Sequence, residues 1–309
     1  MKTNMQNNIL SEIPASNNDV SDHISLDQAI LMRDVSDSSE ALLNTVENEK
    51  NKFYNLPRYY DLAFERNIER DIVFFQKCFQ MYCDGDVKRI LEVACGTGMF
   101  LEYLPHYGYQ TVGFDLSEAM VMYTKKRLHL AGLNKHQAKV VLGDMKDKVF
   151  KKKFDAAFVC VNSLGYLTRD ADICDHFKTM VKNLRKGGIY IVEISCKCEN
   201  LLNEKRVDET WHVSKEHIDL QLKWRPFLYD LKHRLRFIDF EMQVNDDQMI
   251  IEIKEVHKLR LWLFEEFKQF TSSNGFTIVG IYNQNYEEIS LSMPITGELG
   301  VLFFVLKND

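Results

Sequence analysis

Short apolar runs alternate with helical patterns through the middle of the chain. Apolar residues recur at helical spacing over 99–104, 117–131 and 171–184. The runs around these helices have the length and residue types of strands that are buried on both faces. They are Arg89–Ala94, Thr111–Phe114, Lys139–Leu142, Ala156–Val161 and Ile189–Ile194. Strands that alternate with helices predict a doubly wound α/β fold with a parallel sheet.

The pattern continues towards the end of the chain. Gly187-Gly188 predicts that the helix over 171–184 stops there and turns into the fifth strand. A further helix at 262–273 and strands at Phe276–Tyr282 and Gly300–Leu306 complete the main sheet.

Two segments lack this alternation of strands and helices, and they determine the predicted domain organisation. Residues 1–48 are rich in Asn, Ser and Asp and are predicted to be a mobile leader. Residues 196–257 alternate polar and apolar positions, which predicts an inserted antiparallel β subdomain. The core domain then comprises 49–195 and 258–309.

Composition narrows the classes of function. The chain has 309 residues and a formal net charge of −6, without the basic surface typical of a nucleic-acid-binding protein. No run of about 18 apolar residues occurs, so no membrane span is predicted. The seven cysteines lack the C-x₂-C spacing of zinc modules and indicate reduced thiols in a cytoplasmic protein without a metal site. A small-molecule partner is expected, in a monomer or a homodimer.

The strongest local motif is a strand that runs into a glycine-rich turn. Gly96 and Gly98 allow a sharp turn and a close approach of the backbone to a ligand. Asp115 ends the next predicted strand, 19 residues after Gly96, where an acidic side chain can accept both hydroxyl groups of a ribose.

The ligand is predicted to carry a ribose but no diphosphate. The dinucleotide fingerprint requires Gly or Ala three residues after its second glycine, and this chain has Leu101 there. Asp144 and Met145, after the third strand, supply an acceptor for an amino group and an apolar face for adenine. S-adenosylmethionine is the common cofactor of this description.

The same stretches resemble the class I S-adenosylmethionine-dependent methyltransferases. The resemblance rests on four ordered motifs and spans about 53–195. They are Glu92–Gly98, Gly113–Met120, Gly143–Met145 and Leu184–Gly188. It implies a Rossmann-like seven-stranded sheet whose C-terminal strand is antiparallel.

The resemblance also implies a set of cofactor-binding residues. The glycine turn would hold the methionine part, Asp115 the ribose, and Asp144 with Met145 the adenine. The full set is Tyr60, Glu92, Ala94, Cys95, Gly96, Gly98, Asp115, Leu116, Met120, Asp144, Met145 and Asn162.

A narrower resemblance links the chain to small-molecule methyltransferases, of the amino-sugar N,N-dimethyltransferase and glycine N-methyltransferase-like types. It implies that an N-terminal helix covers the cofactor and that the inserted sheet roofs the acceptor pocket. Candidate catalytic residues are Tyr166, His212 and His257, which lie after the fourth strand or in the inserted sheet and could accept a proton. Glu193 is a weaker candidate.

These observations predict methyl transfer to nitrogen or oxygen of a small molecule, with nitrogen preferred. Two alternatives stay open. One is a protein that binds the cofactor and performs no transfer, because the best-supported residues bind rather than react. The other is a nicotinamide-dependent oxidoreductase, which Leu101 disfavours.

Overall fold

The computed structural model describes residues 52–197, 208–247, 249–290 and 300–309. The predicted leader, 1–48, therefore lies outside the described residues.

Twelve strands and six α-helices make up the described part of the chain. The strands are β1 Arg89–Val93, β2 Gln110–Asp115, β3 Ala138–Leu142, β4 Phe154–Val159, β5 Leu184–Lys197, β6 Glu209–Lys215, β7 Ile218–Asp230, β8 Leu235–Asp246, β9 Met249–Arg260, β10 Trp262–Leu263, β11 Phe276–Asn283 and β12 Val301–Asn308. The helices are α1 Pro57–Ala63, α2 Ile68–Tyr82, α3 Met99–Tyr103, α4 Glu118–Leu130, α5 Asp170–Asn183 and α6 Phe264–Ser273. Among the described residues, no helix has the length and hydropathy needed to cross a membrane.

The main sheet has the predicted topology. Its strand order is β11-β12-β5-β4-β1-β2-β3, and the short β10 pairs with the end of β5. The pairs among β1 to β5 are parallel, whereas β12 runs antiparallel to both β5 and β11. Strand order reverses between β1 and β4, so the carboxyl ends of β1, β2 and β4 meet at one edge where ligands bind in such sheets.

Helices cover both faces of this sheet because successive strand residues point to opposite sides. In β4, Ala157 and Val159 pack with Phe177 of α5, whereas Phe158 packs with Phe75 of α2. Burial on both faces explains why these strands read as continuous apolar runs.

The chain turns into β5 earlier than predicted. Helix α5 ends at Asn183, and β5 begins at once at Leu184 instead of after the glycine pair. Gly187 lies inside the strand with φ of +68°, at a shift of register between β4 and β5. A Cβ there would overlap the Asp84 carboxylate, so this glycine serves a close approach within the sheet.

The segment after β5 contains a separate antiparallel sheet in the order β6-β7-β8-β9. It covers 209–260, three residues beyond the predicted end of the insertion. One face packs on Phe53, Tyr59 and the residues around them through an apolar cluster that includes Leu220, Phe240 and Ile253. The sheet is therefore joined to the main domain through the segment that precedes β1.

Candidate active site

The turn after β1 has the backbone conformation that its glycines predict. Ala94, Gly96 and Gly98 have φ of 51°, 52° and 74°, in the left-handed region. Gly98 is the N-cap of α3. The Thr124 hydroxyl of α4 donates to the Gly96 carbonyl at 2.8 Å, so a second helix supports the turn.

Asp115 joins the end of β2 to this turn. One carboxylate oxygen accepts from the Gly96 N–H at 2.8 Å, and the other accepts from the Ser117 N–H at 2.9 Å. Burial raises the pKa of Asp115, and the backbone donors Ser117 and Gly96 oppose that rise. Each oxygen can accept a further hydrogen bond, so the carboxylate can bind a diol while it fixes the turn.

Glu92 places a second carboxyl group under the turn. Its side chain is buried, and Oε2 has no hydrogen-bond partner among the described residues. Burial raises the pKa of Glu92 well above its usual range, and the neighbouring charge of Asp115 raises it further. A buried acceptor without a donor is costly, so it fits a bound group with N–H donors, such as the amino group of S-adenosylmethionine.

The β3–β4 loop holds the residues predicted to contact adenine. The Asp144 carboxylate accepts from the Lys146 N–H at 2.9 Å, which fixes the start of the loop. Met145 is partly buried, and its carbonyl oxygen lies 2.9 Å from Nδ1 of His176. Sequence reasoning missed His176, because the structural partner of a histidine on a helix face cannot be read from spacing.

His176 is neutral and bridges two groups. Burial lowers its pKa to about 4, although the Met145 carbonyl opposes the shift. Nδ1 must carry the proton to donate to that carbonyl, so Nε2 accepts from the Tyr190 hydroxyl 3.0 Å away. The adenine-side loop is thereby tied to β5.

Three other predicted cofactor residues differ in exposure. Leu116 is 71% exposed beside Asp115 and is available to a ligand. Cys95 and Met120 are 5% and 1% exposed. The Cys95 side chain packs with Leu101 and Val121. Its N–H donates to the Phe114 carbonyl at 3.0 Å, and its carbonyl accepts from the Gly98 N–H at 2.9 Å, so this residue shapes the turn.

The N-terminal aromatic segment, residues 53–64, lies against the glycine turn. The Tyr60 ring would be 3.6 Å from a Cβ placed on Gly96. The Tyr54 carbonyl accepts from the Ser117 hydroxyl at 3.1 Å. Tyr60 thus lies beside the turn, and its contact with the cofactor stays a prediction. Tyr54 lies beside it and is a residue that the sequence did not single out.

Asp61 clamps this segment to the turn. It accepts from the Thr97 hydroxyl at 2.6 Å and from Arg127 Nη1 at 3.0 Å. Arg127 also donates to the Thr97 carbonyl at 2.9 Å. Sequence reasoning missed the clamp because Asp61 and Arg127 are 66 residues apart.

Two predicted catalytic residues meet in a second cluster, the hydroxyl–imidazole chain formed by Tyr54, Tyr166 and His257. The Tyr54 and Tyr166 hydroxyls are 2.6 Å apart, and the Tyr166 hydroxyl lies 2.8 Å from His257 Nδ1. His257 is 1% exposed. Burial raises the pKa of Tyr166, although the hydrogen bond from Tyr54 opposes the shift. A buried chain of this kind can move a proton from its hydroxyl end to its imidazole end.

The third predicted catalytic residue, His212, lies elsewhere. Its neighbours Trp211 and Val213 pack against the apolar face of the inserted sheet, so the alternation of the strand turns His212 outward. Its exposed imidazole pairs with Asp219. The structure does not bring it to the hydroxyl–imidazole chain.

The loop after β4 is strained where it approaches Tyr166. Val161 and Asn162 have φ of 54° and 52°, a left-handed conformation that is rare for non-glycine residues, above all for β-branched ones. The Asn162 side-chain oxygen accepts from the Ser195 N–H at 3.1 Å and holds the loop to β5. Burial raises the pKa of the neighbouring Cys160 thiol well above its usual range, which suits a structural role.

Comparison with known proteins decides the family. Residues 90–188 match the family described as a methyltransferase domain. The match runs from β1 to the start of β5 and contains the candidate cofactor residues from Glu92 onward. Residues 90–188 form a methyltransferase domain of the class I S-adenosylmethionine-dependent type.

Individual relatives agree with this family. The YqeM protein of Bacillus subtilis (strain 168), a methyltransferase by name, is 26% identical over 195 residues, which are 62% of this chain and 74% of that protein. A dTDP-3-amino-3,4,6-trideoxy-α-D-glucopyranose N,N-dimethyltransferase of Streptomyces venezuelae is 35% identical over 108 residues, 35% of this chain and 43% of that protein.

A solved structure shares the fold of this methyltransferase. It is that of CalS10, an amino pentose methyltransferase of Micromonospora echinaspora with bound S-adenosylmethionine. It superposes with a TM-score of 0.63 at 20% identity and covers 85% of this chain and 99% of its own.

The two glycines of the turn should differ in their tolerance of alanine. Gly96→Ala should cost about 1–2 kcal/mol of unfolding free energy, because the alanine would only have to adopt the unfavourable left-handed backbone conformation. Gly98→Ala should cost roughly 2–5 kcal/mol, because its Cβ would also overlap the Thr124 side chain. Urea unfolding measures both, and Thr124→Ser should recover part of the loss in Gly98→Ala. Equal costs at the two positions would contradict this account of the turn.

His176 should make the fold sensitive to acid. The unfolded side chain takes up a proton near pH 6.5, whereas the folded one resists protonation to a pKa of about 4. Its contribution is therefore complete above pH 6.5 and is lost as the pH falls towards 4. Between pH 7 and pH 5, wild type should lose about 2 kcal/mol more unfolding free energy than His176→Gln. The control His136→Gln, at an exposed position, should lose as much unfolding free energy as wild type. If His176→Gln also loses as much as wild type between pH 7 and pH 5, His176 is not the buried, neutral group that causes the acid sensitivity.

Proposed function

We propose that the protein transfers a methyl group from S-adenosylmethionine to an amino nitrogen of a small molecule, of the amino-sugar type. One observation carries the proposal. Tyr54 and Tyr60, whose rings are 5.8 Å apart, link the glycine turn to the hydroxyl–imidazole chain. The residues proposed to bind the cofactor and those proposed to accept a proton thus meet at one aromatic segment.

The residues around the turn suit each part of the cofactor. The backbone at 96–98 and the unpartnered Glu92 oxygen would hold the methionine part, Asp115 the ribose, and Asp144 with Met145 the adenine. A cationic amino group beside Glu92 would bring the pKa of its carboxyl group back down, since opposite charge favours the ionised form.

When bound, the cofactor supplies a methyl group on a positively charged sulfur. The protein then has to orient the acceptor nitrogen in line with that carbon and exclude water, and such positioning can contribute roughly 7–11 kcal/mol. The nitrogen must be present as a free amine with its lone pair available. The Tyr166 hydroxyl, backed by His257, would accept a hydrogen bond or a proton from the amine.

The surroundings of His257 favour a neutral amine over an acidic group at the point of methyl transfer. The rings of Trp224 and Phe240 lie 5.0 Å and 5.3 Å from the imidazole, so its surroundings are aromatic and uncharged on that side. Glu255, buried beside His257, disfavours an anionic group at that point of the acceptor. The amino-sugar substrates named for the Streptomyces and Micromonospora proteins support the same class.

We also propose a cytoplasmic location for this enzyme. The six cysteines within the described ranges are free thiols, as expected in a reducing compartment.

Asp115→Asn should weaken the binding of S-adenosylmethionine by about 10- to 100-fold. The substitution keeps the shape of the side chain but removes the charge of a hydrogen-bonded group, which is worth roughly 1.5–3 kcal/mol. Isothermal titration checks the affinity, with the exposed Asp86→Asn as a control that should bind like wild type. Unchanged affinity in a folded Asp115→Asn protein would remove Asp115 from the cofactor site.

Tyr166→Phe should lower kcat by at least about 100-fold and leave cofactor affinity unchanged, because it breaks the proton path. The assay supplies S-adenosylmethionine with dTDP-3-amino-3,6-dideoxy-α-D-glucopyranose and detects methylated product by mass spectrometry. Tyr107→Phe, at an exposed position, is the matched control. Cofactor binding without methylation of this sugar or of a panel of other amines would contradict the proposed acceptor class.

A further inference from the structure

Glu255 connects the hydroxyl–imidazole chain to the start of the N-terminal aromatic segment. It lies on the inner face of β9 and is 4% exposed. Its Oε2 accepts from the backbone N–H of Lys52 at 2.7 Å and of Phe53 at 3.4 Å. More than 200 residues separate these partners, so the contact forms only when the segment docks on the inserted sheet.

The other carboxylate oxygen faces His257. Oε1 lies 3.0 Å from Nε2 of the imidazole. The two groups are not aligned as a hydrogen bond, and neither atom has another hydrogen-bond partner among the described residues. Since an unpaired buried acceptor and an unpaired ring nitrogen are both costly, a small rotation that joins them is favourable.

Such a contact would fix the tautomer of His257. A carboxylate only accepts, so Nε2 must carry the proton. Nδ1 is then the unprotonated nitrogen, and it can accept from the Tyr166 hydroxyl 2.8 Å away. With the opposite tautomer, Nδ1 would donate to Tyr166 and could not take its proton.

We propose that Glu255 is a positioning residue that sets the tautomer of His257 only while Lys52 and Phe53 hold its other oxygen. The inference rests on the proposed function, because it concerns the base of that reaction. Docking of the segment also places Tyr54 against Tyr166, so the same docking completes both ends of the hydroxyl–imidazole chain. The enzyme therefore assembles its proton acceptor when the aromatic segment closes over the site.

Few other polar groups lie where they could set the tautomer of His257. The polar and titratable side chains facing the His257 ring are Tyr166 and Glu255, with Tyr54 beyond Tyr166. Within the described ranges, further aromatic rings against the imidazole come from Trp224 of β7 and Phe240 of β8. Arg236 is a charged neighbour of Tyr166, and its positive charge lowers the pKa of that hydroxyl.

Nitrogen-15 NMR of the full chain tests the proposal without any acceptor. Wild type should show His257 protonated at Nε2. In Glu255→Gln, the amide oxygen can take the backbone N–H groups while the amide nitrogen donates to Nε2, so the tautomer preference should reverse. Glu252→Gln, on the exposed side of the same strand, should match wild type. An unchanged His257 tautomer in Glu255→Gln would overturn the role of Glu255.

A second pair of variants tests the coupling and leaves Glu255 intact. Lys52→Pro removes the N–H donor, and the φ of −66° at this position suits proline. Exchange of the Phe53 amide should become roughly tenfold faster or more, because a hydrogen bond to a charged group is lost. The His257 signal should shift towards the other tautomer, whereas Lys52→Ala should match wild type in both measurements.

Faster amide exchange in Lys52→Pro with the His257 tautomer of wild type would refute the coupling. Because no substrate is present, this result is independent of whether the amine is the correct acceptor class.

Discussion

The carboxylate of Asp115 is the interaction on which the geometry of the candidate site depends. It receives the Gly96 N–H at 2.8 Å and so ties the end of β2 to the turn after β1. Parallel pairing of these strands brings the two loop starts to one sheet edge, and the hydrogen bond then sets the path of the turn. The aromatic segment packs on that turn. Its Tyr54 is the first member of the hydroxyl–imidazole chain, so the position of this chain depends on the turn as well.

The burial of polar groups is the second physical feature on which the site depends. Glu92, Tyr166 and His257 are largely removed from water, and in such surroundings each unpaired polar atom is costly. Burial holds the pKa values of Glu92 and Tyr166 above their usual ranges. The amino group of a bound cofactor would supply the missing partner of Glu92, so the site gains a polar contact when it is filled. The same burial would keep water from the groups that we propose to react.

Sequence reasoning succeeded where the determining interactions are local or periodic. The alternation of strands and helices gave the doubly wound sheet, and the glycine spacing placed the turn and Asp115. Tyr166 and His257 could be named as candidates, but their contact spans 91 residues and needs the inserted sheet to form. Tyr54, Asp61 and Glu255 were missed because their partners are distant in sequence, and those of Glu255 are backbone N–H groups that have no residue signature. The outward position of His212 could have been read from the apolar Trp211 and Val213 on either side of it.

The most direct test of the account is isothermal titration of the full chain with S-adenosylmethionine, S-adenosylhomocysteine and NADH side by side. The account predicts one site with micromolar affinity for the first two ligands and no binding of NADH, because the turn lacks the third glycine of a diphosphate site. Binding of NADH alone, or of none of the three, would contradict the assignment of the glycine turn, Glu92 and Asp115 to the cofactor.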